Sequence, residues 1–263
     1  MFSGFMANAW TAGTLVAIVA GVVGLFVVLR GSTFAAHAVP LSSFAGAAGA
    51  NLIGAAPIAG LALFAPLSAL GIGWLDRRRR GRGDVATALV VATMLGLGAL
   101  FLSWSTEYES GIFGLLFGQI FGVSSGQVWL TAALAAGTAV SVGALYRPLL
   151  LTSISEDLAS SRGTRPGRVD TAFLVLVAVV TTMAVPIVGA FLMFSLMVGP
   201  PAAARAFTRA PASAMALAVA LAAVTVWAGL ALAYATDWPI GFFVGGLGAL
   251  WYLAARLRIA LRR

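Results

Sequence analysis

The sequence predicts an all-α membrane protein, a polytopic bundle of about eight or nine transmembrane helices. Of its 263 residues, 61% are hydrophobic and only 9% are charged, whereas soluble domains carry roughly 25% charged residues. The mean hydropathy is +1.01. Apolar runs of about 20 residues, the length that crosses a hydrocarbon core, recur along the chain. We therefore expect one membrane domain that covers residues 1–263.

Nine segments have the length and composition of transmembrane helices. They are 9–29, 35–53, 57–75, 85–104, 127–146, 171–185, 187–207, 212–235 and 239–257. A further apolar stretch at 112–122 is too short to cross. Small residues around 54–56 allow two interpretations of the second and third segments, either closely packed helices or one broken element. Pro186 predicts a turn or kink between the sixth and seventh segments.

The arginines predict the orientation of the bundle. All sixteen basic residues are arginines, and they lie in alternate loops: Arg30; Arg77, Arg78, Arg79, Arg80 and Arg82; Arg147, Arg162, Arg165 and Arg168; Arg205 and Arg209; Arg256, Arg258, Arg262 and Arg263. The intervening loops carry Glu107, Glu109 and Asp237 and no arginine. The positive-inside rule therefore places the N-terminus outside and the C-terminus in the cytoplasm. Because nothing basic precedes Arg30, we expect a retained first helix rather than a signal peptide.

The composition excludes several functions. The chain has no cysteine, which rules out thiol catalysis and cysteine zinc sites. It has no lysine, which rules out a P-loop. The acids lie in predicted loops or at helix ends, so we expect no catalytic triad or carboxylate pair and no enzymatic activity. The pI of 11.4 reflects arginines at helix ends, and we expect no nucleic-acid partner.

The one histidine, His37, lies near the start of the second segment. An ionisable group at this depth is a candidate for the substrate path or for binding a metal. The alternative is a neutral imidazole that hydrogen-bonds a carbonyl at a helix end, and both interpretations stay open. Met183, Met193 and Met197 resemble soft metal ligands, but methionine is ordinary filler in apolar helices and we interpret them as packing residues.

The cytoplasmic loop at about 149–170 contains a predicted short helix. Ser155 is placed to cap it, and Glu156 and Asp157 follow in the first turn, where acids favour the helix dipole. Leu158 and Ala159 come next. Gly163 supplies the stop. Such a helix is either a docking surface for a soluble partner or a plain linker.

Three segments resemble known motifs. Residues 115–124 are similar to the motif Leu-Leu-Phe-Gly-x-Ile-Leu-Gly-Val-Ser, residues 188–205 to a run that starts with Val-Gly and ends with Pro-Ala-Ala-Thr-Ala-Arg, and residues 237–241 to an Asp-x-Pro-x-Gly turn. Residues 21–34 show a weaker similarity. These motifs are typical of the permease subunit of ATP-binding-cassette importers of the zinc/manganese/iron family, which the chain resembles over nearly its whole length.

The resemblance implies a set of partners. They are a second, identical or similar permease, two ATPase subunits that bind ATP and Mg²⁺, and an external binding protein, so the chain itself needs no cofactor. The location implied is the plasma membrane, here a bacterial cytoplasmic membrane, in contact with lipid. The loop is similar to the family's Glu-x-Ala-x-x-x-Gly coupling segment, with Ser155 where Asp is usual. The implied coupling residues are Ser155, Glu156, Asp157, Leu158, Ala159 and Gly163.

The cargo implied by the resemblance is a divalent transition metal, but one departure bears on it. Family members carry Asp and His one helical turn apart at the start of the second helix, which brings two ligands to one face. The aligned residues here are His37 and Leu41. A diverged branch that carries a metal chelate or an organic molecule is therefore the alternative. A stand-alone channel or secondary transporter and a membrane scaffold are more distant alternatives.

Overall fold

The structure is a computed structural model that describes residues 4–78, 83–104, 116–208 and 210–261. Within these ranges it contains α-helices and no β-strand, which confirms the predicted all-α class. The ten α-helices are α1 Gly4–Leu29, α2 Thr33–Leu52, α3 Pro57–Arg78, α4 Gly83–Ser103, α5 Ser125–Ile154, α6 Glu156–Ser161, α7 Pro166–Val188, α8 Ala190–Phe207, α9 Pro211–Thr236 and α10 Ile240–Ala260. A single 3-10 turn, Ile120–Gly122, precedes α5.

Seven of the described helices are long and apolar enough to cross a membrane: α1, α3, α5, α7, α8, α9 and α10. Of the two further long helices, α2 is less apolar, because His37, Ser42 and Ser43 dilute its hydrophobic sequence. In α4, the stretch Thr87–Ser103 is apolar. The predicted polytopic bundle is confirmed, whereas the count of eight or nine spans stays a prediction.

Helices α2 and α3 form an antiparallel hairpin rather than one broken element. The turn contains Gly54, whose φ of +70° favours glycine. Gly46 and Gly60 face each other so closely that a Cβ on either would overlap the backbone of the other. Helix α4 packs on the same hairpin, with Gly98 against Phe44. The small residues of this region therefore serve close helix packing, as one of the two interpretations predicted.

Helix α1 lies at the centre of the bundle and packs against α5, α7, α8 and α9. Its glycines allow the closest approaches, because Gly21 meets the backbone of Val219 and Gly24 meets the backbone of Met197. The ring of Phe26 packs edge-on against Tyr146 of α5 at 5.9 Å between centroids. Dispersion between closely packed helices replaces the hydrophobic effect as the attraction inside a membrane. Helix α1 is therefore the common neighbour of α5, α7, α8 and α9.

The break between α7 and α8 falls at Gly189 and not at Pro186, where the sequence predicted it. Helix α7 continues through Pro186 to Val188, and the Gly189 N–H donates to the carbonyl of Val185 at 2.9 Å. Proline removes one donor without having to end a helix whose neighbours support it. Gly189 has a φ of +83°, which L side chains rarely adopt. The turn therefore forms at the residue that tolerates this conformation.

A short segment that precedes α5 packs on this turn. Within residues 116–124, Gly118 has a φ of +84° and its backbone lies against Val188 and Gly189. Asn8 of α1 donates to the carbonyl of Val123 at 3.2 Å. Residues 112–115 of the apolar stretch predicted at 112–122 lie outside the described residues. In the described part, Leu116 and Phe117 are helical, the helix ends before Gly118, and the 3-10 turn follows at Ile120–Gly122.

We predict that Gly189→Ala destabilises the protein by about 1–3 kcal/mol, the usual cost of a strained backbone conformation. The added Cβ would meet the backbone of Leu116, Phe117 and Gly118, so strain and overlap act together. The measurement is the thermal unfolding midpoint of purified protein in detergent. The matched control is Gly137→Ala in α5, where a Cβ has open space. An unchanged midpoint for Gly189→Ala would contradict the tight contact.

Candidate translocation path and coupling helix

His37 lies in the second turn of α2, between helices of the bundle. Its ring packs against Phe194 of α8 at 4.5 Å between centroids, with the planes tilted by 59°. The Nδ1 atom is buried and has no hydrogen-bond partner among the described residues. Buried polar atoms normally have a protein, water or ion partner. The alternative interpretation, a hydrogen bond from the imidazole to a carbonyl, is therefore not formed at Nδ1 within the described residues.

Two further buried hydroxyl groups lack a partner in the described part of the chain, and the sequence analysis did not single them out. They are Ser42 Oγ on α2 and Thr181 Oγ1 on α7. Helix α2 packs against both α7 and α8, so these atoms and His37 belong to helices in contact. The signal that could have identified them is the presence of hydroxyl residues in apolar segments, where polar groups are uncommon.

Leu41, one turn after His37, is buried and contacts an apolar cluster that includes Leu61, Val185 and Ala190. No group of three or more His, Cys, Asp or Glu residues that could hold a metal is found among the described residues. Whether His37 binds substrate stays a prediction. Met183, Met193 and Met197 lie in the apolar core, where the packing interpretation placed them.

The predicted short helix between α5 and α7 is present as α6. The Ser155 hydroxyl accepts from the N–H of Leu158 at 3.3 Å, and Glu156 and Asp157 occupy the first turn. Gly163 follows the helix with a φ of +78°. The connection is shorter than the predicted loop at 149–170, because α5 continues to Ile154 and α7 already begins at Pro166. The cap at Ser155, the two acids in the first turn and Gly163 therefore define this helix as predicted.

The two apolar residues of α6 differ in environment. Leu158 is 40% exposed, whereas Ala159 is fully buried. Both were predicted to take part in coupling. The structure leaves Leu158 accessible at the surface and turns Ala159 toward the neighbouring helices. Hydrophobic residues exposed on a membrane protein's soluble face are candidates for protein contacts.

Two cavities lie near opposite ends of α1. One, of about 320 Å³, is lined by Arg30, Glu156 and Asp170 among others. The other, of about 660 Å³, is lined by Phe5 near the start of α1, by Asp237 and by aromatic residues. Arg30 and Asp237 therefore lie near opposite ends of α1. The alternation of arginine loops and acidic loops along the sequence predicted this separation. Glu107 and Glu109 lie outside the described residues.

A protein-family model described as the ABC 3 transport family matches residues 3–258. The chain belongs to this family. It is the permease subunit of an ATP-binding-cassette transporter, a multi-pass protein of the plasma membrane and not an enzyme, as the resemblance implied.

Curated relatives of this ABC 3 permease cover most of its length. It is 28% identical over 231 residues to the manganese transport system membrane protein MntC of Listeria innocua, which covers 88% of this chain and 82% of the relative. It is 27% identical over 249 residues to the manganese import system permease protein ScaB of Streptococcus parasanguinis, which covers 95% of this chain and 89% of the relative.

A solved structure shares the same fold. The structure of PsaBC from Streptococcus pneumoniae in complex with Fab matches with a TM-score of 0.86 at 25% sequence identity, covering 96% of this chain and 91% of that chain. The match extends over the helices on both sides of α6. The arrangement of the bundle is therefore that of a known transporter.

We predict that the two ends of α10 react with thiol reagents from opposite sides of the membrane. The chain has no cysteine, so a single introduced one gives an unambiguous signal. Trp238→Cys should be labelled by an impermeant maleimide in intact cells, because Trp238 is exposed beside Asp237. Leu261→Cys, at the arginine-rich end, should react only after permeabilisation. The reverse pattern would overturn the orientation.

Proposed function

We propose that the chain is the permease of an ATP-driven importer for divalent transition metals, with manganese as the first cargo to test. The observation that carries this proposal is the chain's similarity to two manganese transport proteins, MntC and ScaB, which align over 88% and 95% of this chain. The metal ion is a substrate in transit and not a resident cofactor. Import, rather than export, is supported by the similarity to ScaB, which is the permease protein of an import system.

The working assembly consists of two permeases, two ATPase subunits and an external binding protein. ATP binding draws the ATPases together, and α6 passes this movement into the bundle. The helices then open the path alternately to the two faces. Such coupling requires that the ATPases bind the two permease conformations with different affinity. All covalent chemistry takes place in the ATPase chains.

We assign to His37 the role of contacting the cargo on the translocation path. Its Nδ1 is buried and unpaired within the described residues, and the hydroxyls of Ser42 and Thr181 share this property on neighbouring helices. A path without a carboxylate binds a divalent cation weakly, because nothing offsets the ion's charge. Weak binding suits passage, since an ion must leave the site as readily as it arrives.

We predict that His37→Ala lowers the rate of manganese or zinc uptake by roughly 10-fold to 100-fold, the loss typical when a group that supports a metal site is removed. The assay uses the permease reconstituted in vesicles with its ATPases and binding protein, and radiolabelled Mn²⁺ or Zn²⁺. Phe194→Leu, which removes only the ring that packs on His37, is the control. Wild-type uptake by His37→Ala would discard the histidine as a ligand.

The same assay tests the alternative cargo. The replacement of the usual Asp and His by His37 and Leu41 favours a diverged branch that carries a metal chelate or a small organic molecule. If the wild-type assembly transports neither Mn²⁺ nor Zn²⁺ but hydrolyses ATP, the metal cargo is wrong and this alternative replaces it.

We predict that Leu158→Asp abolishes transport by preventing ATPase docking, because a charge at this exposed position must be desolvated in an apolar contact. The measurements are copurification of the ATPase and uptake. Leu261→Asp, an exposed position at the same end of the bundle, is the matched control and should retain both. Ala159→Asp is unsuitable because its side chain is buried. Unchanged transport by Leu158→Asp would refute the docking role of α6.

A further inference from the structure

We propose that Arg30 is the positioning residue that connects the coupling helix α6 to the central helix α1. The inference rests on the proposed function, because it concerns how movement that ATPases impose on α6 reaches the path. Arg30 is the one arginine of its group and directly follows α1. Its side chain is only 9% exposed. A buried guanidinium needs specific partners, and its partners define what it connects.

The sharp end of helix α1 determines where Arg30 lies. Gly31 has a φ of +66°, and the N–H of Ser32 donates to the carbonyl of Val27 at 3.0 Å. This is a glycine-terminated helix end, which satisfies the last carbonyls and turns the chain sharply. Helix α2 begins at Thr33. Arg30 is therefore held rigidly at the junction between α1 and the helix that carries His37.

The guanidinium of Arg30 contacts two other helices directly. It forms an ion pair with Asp170 of α7, and its Nη1 donates to the Thr152 hydroxyl of α5 at 2.6 Å. The guanidinium carbon also lies 5.2 Å from the centre of the Phe173 ring of α7, within the range of a cation–π contact. The fork of an arginine suits this role, because several donors can bind partners in different directions at once.

The third connection is electrostatic and involves α6 itself. Burial lowers the pKa of Arg30, while attraction to Asp170 and to Glu156 opposes that effect. Arginine keeps its charge in proteins, so the attraction persists through the transport cycle. Glu156 is the first residue of α6. One cation therefore holds the end of α1 against α5 and α7, which flank α6, and attracts α6 directly.

The covalent connections make this contact a route for movement. A single residue, Ser155, separates α5 from α6, and Thr152 lies in the last turn of α5. Asp170 lies near the start of α7, which follows α6. A displacement of α6 therefore shifts the groups that Arg30 binds, and α1 with the start of α2 must follow. Discrete packed and hydrogen-bonded elements of this kind carry coupling between distant sites.

The 320 Å³ cavity provides space for this movement. Besides Arg30, Glu156 and Asp170, it is lined by Ser32 at the start of α2 and by Ser153 of α5. Because its walls come from the elements that Arg30 connects, a shift of α6 changes the shape of the cavity without disrupting the tightly packed core of α1. The position of Arg30 thus joins the cytoplasmic contact to the helices that line the path.

The test compares transport with ATP hydrolysis in the complete assembly, reconstituted in vesicles with Mn²⁺ as the probe. Arg30→Gln should lower the number of ions transported per ATP at least tenfold, while the ATPase still copurifies and hydrolysis changes by less than twofold. Arg30→Lys keeps the charge but loses the forked arrangement of donors. Its number of ions transported per ATP should lie between the values for wild type and Arg30→Gln. Arg256→Gln, an exposed arginine of α10, is the matched control and should retain the wild-type ratio.

The outcomes separate the proposal from its alternatives. A wild-type ratio in folded Arg30→Gln overturns it and leaves Arg30 a structural residue only. If Arg30→Gln does not fold, Thr152→Val removes one partner's hydroxyl with little change in shape and should lower the ratio about threefold; an unchanged ratio overturns the proposal there too. If the wild-type assembly itself neither transports Mn²⁺ nor depends on ATP, the proposed function fails, and this inference fails with it.

Discussion

Backbone contact at glycine is the constraint on which the rest of this structure depends. Lipid is as apolar as the side chains, so helices gain little by hiding hydrophobic surface from it and associate instead by close packing. Gly24 against Met197, Gly46 against Gly60 and Gly118 against Gly189 bring backbones into direct contact. A Cβ added at any of these glycines would overlap a backbone atom of the segment packed against it. The bundle is therefore specified by where side chains are missing as much as by where they are large.

Charged residues, in contrast to these glycines, lie at the ends of the helices. Arg30 shares this location but is buried there, and Asp170 and Thr152 satisfy its guanidinium. A buried ion pair contributes little net stability, because desolvation offsets much of the attraction. Its retention at the junction of α1 and α2 is therefore better explained by positioning than by stability.

The sequence predicted the helices well and their contacts poorly. Hydrophobic length places α1 and α9 within a few residues of their observed bounds, because a membrane span has a fixed minimum length. It failed at Pro186, since a helix supported by neighbours tolerates proline and the turn forms at Gly189 instead. It could not tell buried Ala159 from exposed Leu158, because the direction in which a short helix packs depends on distant parts of the chain. The unpaired Ser42 and Thr181 were missed for the same reason.

The long helix α5 has a mechanical consequence. Its 30 residues make a rod of about 45 Å, so a tilt of about 5° at one end displaces the other by ~4 Å. Ser155 ends this rod and starts α6, and at the far tip Ser124 caps it beside Val123, which accepts a hydrogen bond from Asn8. A displacement of the Ser155 end of α5 therefore moves its Ser124 end by leverage along one continuous helix.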